Sequence, residues 1–396
     1  MKSGSPHIIY IGNIRLPTEK AHGYQIMKMC EALSSCGADV ELWHPARLQA
    51  NKGLRGTDAF AQYGVRRSFA LRKIRNIDIV VLNRFIPDVF FMPFFLIHAL
   101  VWGWYVAGRA RKAAADAYYA RDDEVAYWLL RRGMPTVYEA HGIPRGWKYW
   151  MLRSIARSPQ LALVVAVTGF LKDDLVRIGF PAEKIIVLPD AVDTQDFPVN
   201  TDKLSLRREL GLPADKKIAT YMGNFMTKGM TKGVETVVGA VSLLDASCVV
   251  VLVGGQPDEL AAYGEHVERS GLRERIILVP FKPHREAMRY LTASDALLMP
   301  FPLHNRHYRL YMSPLKMFEY MASGVPIVAS DLPSIREVLS AETAVFAAPS
   351  DAVSLAAAIR RLFAEPEAAL RRAQAARKTV LRYSWRARAA TVLGRL

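Results

Sequence analysis

Along almost the whole of this 396-residue chain, apolar runs alternate with helical patterns, and that alternation leaves few folds open. The runs HIIYIG, VELWHP, IDIVVLN, AYYAR, TVYEAH, LALVVAVT and KIIVLP occupy the first half. IATYMGN, VVVLVGG, IILVPF, ALLMP, PIVAS and AVFAA follow in the second. Between them lie helical stretches such as YQIMKMCEALSSCG, where Ile26, Met29, Cys30 and Leu33 recur at the spacing of one buried face. Strand–helix alternation of this kind predicts parallel sheets wound in both directions, an α/β architecture. The turn-rich LPDAVDTQDF near residue 190 marks a boundary, and each side is long enough for its own core. We expect an N-terminal unit over 1–190, a C-terminal unit over 191–376 and a basic terminal helix over 377–396.

A chain that is 51% hydrophobic and 10% aromatic does not belong to the disordered class. Its three cysteines, Cys30, Cys36 and Cys248, are too few for a disulfide framework and read as buried free thiols of a reducing cytoplasm. The N-terminus runs almost directly into HIIYIG, without a signal-peptide layout.

The formal charge of +16 calls for a partner, and its distribution suggests one. Residues 1–112 hold 16 Lys/Arg against 7 Asp/Glu, and residues 360–396 hold 10 against 2. From Val89 to Gly108 no residue carries a formal charge, and Arg109, Arg111 and Lys112 follow at once. That stretch is just long enough to span a bilayer. It also stands between two expected strands, where a parallel sheet needs a crossover helix. An interfacial helix over 89–112 satisfies both, with aromatics such as Phe94, Trp102 and Trp104 at headgroup level and the basic flank on anionic lipid. A buried core helix and a true span are the alternatives. No nucleic-acid reader motif accompanies the charge, so nucleic acid is not expected as a partner.

The residues richest in chemistry are SPLKMFEYMASGVPIVASDLPSIREVL, Ser313 to Leu339. Ser313 reads as an N-cap and Pro314 as the first helical residue, with the helix running through Met321. Gly324 then suits the left-handed position after the helix, and Pro326 stops continuation. The helix start Ser313–Pro314–Leu315–Lys316 offers backbone N–H groups and a positive dipole end to an anion. Lys316 stands against that dipole, which a phosphate would explain. Glu319, one turn on, is placed to accept hydrogen bonds from hydroxyls of the same ligand. Phosphate donors beside a hydroxyl-binding carboxylate suggest a nucleotide sugar.

This segment resembles the nucleotide-sugar signature of the retaining GT-B glycosyltransferases, glycosyltransferase family 4 ("group 1"). The family pattern is a glutamate, seven residues, a second glutamate and a helix end Met-Ala-x-Gly-x-Pro. Glu319 matches the second glutamate, which the resemblance assigns to the donor's ribose hydroxyls, and Tyr311 stands at the first. In YMGNFMTKGMTKGVETVVGAV, Gly223 and Lys232 match a family loop on the donor diphosphate. Asn224 replaces its arginine, and Lys228 is a candidate for the missing charge. In VYEAHG, His141 matches a family histidine close to the donor sugar. Gly23 in AHGYQ corresponds to the glycine of the family's first loop. The connector Pro189-Asp190-Ala191-Val192-Asp193 departs mildly from Pro-Asn-Gly-Val-Asp, and Asp193 reads as a turn or hinge cap.

The resemblance implies a GT-B fold: two Rossmann-like doubly wound domains facing a cleft, with the terminal helix returning to the first. It implies retaining transfer of a hexose from a nucleotide diphosphate sugar, GDP-mannose or a UDP-hexose, with His141, Lys232 and Glu319 as catalytic residues. The donor is a co-substrate, and no cofactor is expected. D-x-D is absent from the chain, and His304 and His307 lack an evident third ligand, so no metal is expected. A polyprenyl-diphosphate-linked or other cell-surface glycan is the expected acceptor, used by a cytoplasmic enzyme peripheral on the inner face of the membrane in polysaccharide or lipopolysaccharide assembly. Because Tyr311 and Asn224 stand where charges are usual, a non-catalytic sugar-nucleotide-binding scaffold is the alternative. A soluble enzyme of small-molecule acceptors is another.

Overall fold

The computed structural model describes residues 4–49, 51–80, 87–197, 202–227 and 230–396. Two compact units emerge: Met1–Pro189 together with Trp385–Leu396, and Asp190–Ser384.

The N-terminal unit is built on seven strands: β1 (His7–Ile11), β2 (Asp39–Pro45), β3 (Ala70–Ile74), β4 (Ala117–Ala120), β5 (Thr136–Ala140), β6 (Leu161–Ala166) and β7 (Ile185–Val187). Every pairing is parallel, in the order β3-β2-β1-β4-β5-β6-β7. The chain winds outward from β1 in one direction and from β4 in the other. In such a sheet, ligands bind beyond the strand ends at the point of reversal. The C-terminal unit repeats this plan with β8 (Lys217–Met222), a small antiparallel hairpin β9 (Met226–Thr227) and β10 (Met230–Thr231), β11 (Cys248–Gly255), β12 (Ile276–Pro280), β13 (Ala296–Met299), β14 (Ile327–Ser330) and β15 (Val345–Ala347). Its six-stranded sheet runs β12-β11-β8-β13-β14-β15, all parallel, and reverses between β8 and β13.

The expected strands appear with one exception. IDIVVLN is not a strand over its described residues 77–80, and residues 81–83 lie outside the described set. The strand at that edge is β3, whose sequence ALRKI is largely solvent-exposed and carries no apolar run to announce it. The first helix starts at Ala21, three residues before the expected YQIMKM, so Gly23 lies in its first turn and not in a loop. Cys36 is only partly buried, unlike Cys30 and Cys248; all three are free.

The terminal segment divides later than 377. Helix Pro366–Val380 stays with the C-terminal unit, and the chain rejoins the N-terminal unit at Trp385. Helix Trp385–Leu393 buries Trp385, Arg388, Ala389 and Val392 and packs on helix Ala21–Ser35, with Trp385 edge-on to Tyr24 at 6.5 Å.

Helix Asp88–Ala110 contains the uncharged stretch. Among the described residues it is the one helix long and apolar enough to cross a membrane, by length and composition. It has two faces. Phe91, Ala99, Trp102, Val106, Ala107 and Ala110 are buried, whereas Met92, Phe94, Ile97, Val101 and Trp104 are exposed. Gly103 permits close packing on helix Asp123–Arg131, since a Cβ there would come within 2.9 Å of the Glu124 carbonyl oxygen.

Candidate active site

In the C-terminal unit the sequence-expected residues gather at the reversal between β8 and β13. Gly223 follows β8 with φ +125°, and a Cβ on it would stand 3.1 Å from the Lys316 Nζ. Gly233 precedes helix Val234–Val241 with φ +88°, and a Cβ there would overlap the carbonyl oxygen of Pro300, just past β13. Backbone conformation favours glycine at both positions, and at Gly233 space demands it as well. The loop between them carries Lys232. Asn224 is partly exposed and its carbonyl accepts from the Tyr221 hydroxyl at 2.8 Å. Lys228 lies outside the described residues.

Lys316 occupies an unusual position. Its Nζ is buried and has no hydrogen-bond partner among the described residues. It sits 3.9 Å from the Tyr221 ring centroid and 5.2 Å from that of Phe301, so two aromatic faces are what it has in place of a counter-ion. Burial, and then the charge of Lys232, push its pKa well below the ordinary lysine value, with Glu319 opposing. Lys232 is also shifted down by burial, with Glu259 pulling the other way. Two lysines thus share one region of strongly reduced solvation, where an anion would relieve both.

The helix that carries Lys316 spans Leu315–Ser323. Its cap is Pro314, in extended conformation, and not Ser313. The Ser313 hydroxyl accepts instead from the Asp190 backbone N–H at 2.8 Å, tying the start of the unit to the helix entry. Gly324 ends the helix with φ +71°, as its sequence position implies. Glu319 is buried, and His284 Nε2 lies 2.8 Å from its Oε1. Sequence reasoning missed His284, which begins the helix after β12. It missed Glu259 too: its carboxylate accepts from the backbone N–H groups of Met226 and Gln256, both at 2.9 Å, and so fixes the start of the Gly223–Gly233 loop. Tyr311 is buried in a π-helical turn, His307–Tyr311, and its hydroxyl accepts from Arg306 Nε at 2.9 Å. Among the described residues no group of three His, Cys, Asp or Glu is placed to hold a metal ion, and His304 with His307 is no exception.

In the N-terminal unit, His141 follows β5 and is partly buried. Its Nε2 lies 2.7 Å from Glu139 Oε1. Burial and then the charge of Arg121 pull its pKa down to about 4, against the raising effect of Glu139. At neutral pH the imidazole is therefore neutral. Gly23 is packed so closely that a Cβ would come within 2.5 Å of the Tyr63 hydroxyl and of Thr18. Asp193 precedes a 3-10 turn, Thr194–Asp196, without a side-chain cap.

Two family models match the chain: one described as Glycosyltransferase Family 4 over residues 23–196, and one described as Glycosyl transferases group 1 over residues 202–379. The amylovoran biosynthesis glycosyltransferase AmsK of Erwinia amylovora is 28% identical over 204 residues, 51% of this chain and 48% of that protein. The 2-deoxystreptamine glucosyltransferase of Streptomyces kanamyceticus is 28% identical over 208 residues, 51% of each. The matches span about half the length of these curated relatives. Among solved structures, Anabaena HepE in complex with UDP-glucose superposes with a TM-score of 0.72 at 16% identity, over 99% of this chain and 100% of that one. At that identity the likeness speaks for the fold.

Proposed function

We propose that this chain, which belongs to the group 1 glycosyltransferases and shares their GT-B fold, moves a hexose from a nucleotide diphosphate sugar to a hydroxyl of a lipid-linked or cell-surface glycan. The observation that carries the proposal is the buried, unpartnered Lys316 amine beside Lys232. A lysine kept from water without a counter-ion is costly, and the diphosphate of a donor supplies the missing charge. As the glycosidic bond breaks, negative charge grows on the leaving diphosphate. We assign Lys232, Lys316 and the N-terminus of helix Leu315–Ser323 to meet it. Glu319, held by His284, is assigned to the ribose hydroxyls, and His141 to the sugar being transferred. We assign retention of anomeric configuration, transfer without a divalent metal, and a UDP-hexose or GDP-mannose as donor.

AmsK supports an acceptor in polysaccharide assembly. The exposed apolar face of helix Asp88–Ala110, followed by exposed Arg109, Arg111 and Lys112, supports a lipid-linked one, reached from the cytoplasmic face of the membrane. The similarity to the 2-deoxystreptamine glucosyltransferase favours a second reading, a soluble enzyme with a small-molecule acceptor.

The test is a thermal-shift panel of UDP, GDP, ADP and their sugars. A ligand at a hundred times its Kd should add about 2.7 kcal/mol of stability. One nucleotide family should raise Tm in the parent protein and lose most of that shift in Lys232→Met. No shift with any of them would overturn the donor assignment.

A further inference from the structure

A histidine in sugar transfer must keep one tautomer and one charge state, and the groups that fix both for His141 lie inside the N-terminal unit. We infer that Arg388, on the terminal helix, is a positioning residue for His141 that acts through Glu139. The inference rests on the proposed use of His141 in transfer.

Glu139 has no exposed surface, and a carboxylate buried alone would take up a proton. It is surrounded by donors instead. Oε1 accepts from Gln25 Nε2 at 2.5 Å and lies 2.7 Å from His141 Nε2; Oε2 accepts from the Tyr119 hydroxyl and from Arg388 at 3.1 Å. Burial pushes the Glu139 pKa up, but Arg388, the His141 hydrogen bond and Arg121 outweigh it and hold the group well below the usual carboxylate range. An ionised carboxylate only accepts hydrogen bonds. A neutral imidazole facing it must therefore carry its proton on Nε2, which leaves Nδ1 with the lone pair.

Arg388 serves in a second way. A carboxylate with no other counter-charge would raise the basicity of His141, and the cations Arg388 and Arg121 offset that field. Gln25 links the two, accepting from Arg121 at 2.5 Å while donating to Glu139. Tyr119 and Tyr10 face the same carboxylate and are pushed further from ionisation by burial and then by Glu139. Arg388 is buried and fixed by the carbonyls of Pro189 at 3.0 Å and Leu188 at 3.4 Å. The terminal helix thus supplies the leading counter-charge to Glu139, the carboxylate that faces a residue 247 positions earlier, counting from 388 back to 141.

The experiment follows His141 by its imidazole nitrogen shifts in the full-length protein, assigned with His141→Gln and titrated downward from neutral pH. The parent should show the Nε2–H tautomer and a midpoint near about 4. In Arg388→Gln the midpoint should rise above the parental one as the cation is lost. Its kcat should fall about tenfold or more, with KM for the donor unchanged. Arg388→Lys should keep most of both. A folded Arg388→Gln with the parental midpoint and tautomer, or with a change in KM alone, overturns the inference. Should Arg388→Gln not fold, Glu139→Gln decides: it removes the negative charge while keeping the shape. The His141 midpoint should then drop below the parental one and kcat should fall, and no change in either would overturn the link. The nitrogen shifts need no substrate. A parent protein that turns over no donor would sink the transferase reading and leave the Arg388 link to be judged by the shifts.

Discussion

At the scale of single residues, Lys316 is a place where stability is given up. Its amine is buried against Tyr221 and Phe301 without a hydrogen bond, and an unsatisfied buried polar group costs about 1–3 kcal/mol. Lys316→Met should therefore raise the unfolding free energy by a similar amount while abolishing donor-induced stabilisation, read by denaturant unfolding with and without nucleotide. The pH dependence has a definite sign. The folded-state pKa lies below the ordinary 10.5, so the unfolded chain binds the proton more readily. From this group alone, stability rises with pH between the lowered value and 10.5, and Lys316→Met lacks that slope. Donor binding works the other way. On the proposed reading the diphosphate restores the charge, so binding should take up a proton and weaken as pH rises through the lowered value. Calorimetry in buffers of different ionisation enthalpy measures that uptake, and its absence would mean that Lys316 is charged before the donor arrives.

Gly223 and Lys316 were legible in the sequence through a local pattern, a glycine where the chain turns left-handed and a charge at a helix start. Glu319 followed one turn further on, and Lys232 was marked by the family resemblance of its loop. His284, Glu259 and Arg388 were not legible. They act across 35, 33 and 249 positions, respectively, on Glu319, Met226 and Glu139, and no local spacing records such a partnership.

At the scale of elements, burial decided what could be read. β5 and β11 are buried at every residue and stand out as apolar runs, whereas β3 at the sheet edge exposes Ala70, Arg72 and Lys73 and is invisible by the same criterion. Helix Asp88–Ala110 shows the limit of composition. Its apolar residues are evident, but which of them face outward depends on what packs beneath. The sequence suggested Phe94, Trp102 and Trp104 together as membrane contacts, and Trp102 proves to be buried, only 3% exposed. Phe94, Ile97 and Trp104 are the residues to replace with Ser. That triple variant should keep the parental melt and lose binding to anionic vesicles in co-sedimentation. Trp102→Ser should instead destabilise the unit by about 3–5 kcal/mol through the cavity it leaves. Parental binding should also weaken with salt, because the Debye length falls from about 10 Å at 0.1 M to about 3 Å at 1 M. A parent protein that stays in the supernatant with anionic vesicles at low salt would remove the support for a lipid-linked acceptor.

At the scale of the whole molecule, each unit reverses its sheet once, and the expected donor residues of the C-terminal unit gather at that unit's reversal. On the proposed reading, the donor's leaving group meets two lysines and a helix start. Transfer should accordingly persist in EDTA at its full rate, measured by nucleotide release. Loss on chelation with recovery by Mg²⁺ or Mn²⁺ would show that these cations do not suffice.

The path of the chain adds something the two sheets do not. Residues 190–384 are, in effect, one long insertion within the N-terminal unit, whose segment Trp385–Leu396 is made only after that insertion. During synthesis residues up to 189 leave the ribosome with a Glu139 that has Gln25, Tyr119 and His141 beside it but not yet Arg388, and with the face of helix Ala21–Ser35 that meets Trp385 uncovered. Both wait until the second unit has been completed. Folding that second unit first shortens the loop that Trp385 and Arg388 must close, and loop entropy grows only slowly with length in any case. A nascent chain cut off just before Trp385 would thus carry one finished unit and one unfinished one, and its defect would show itself as misfolding of the first.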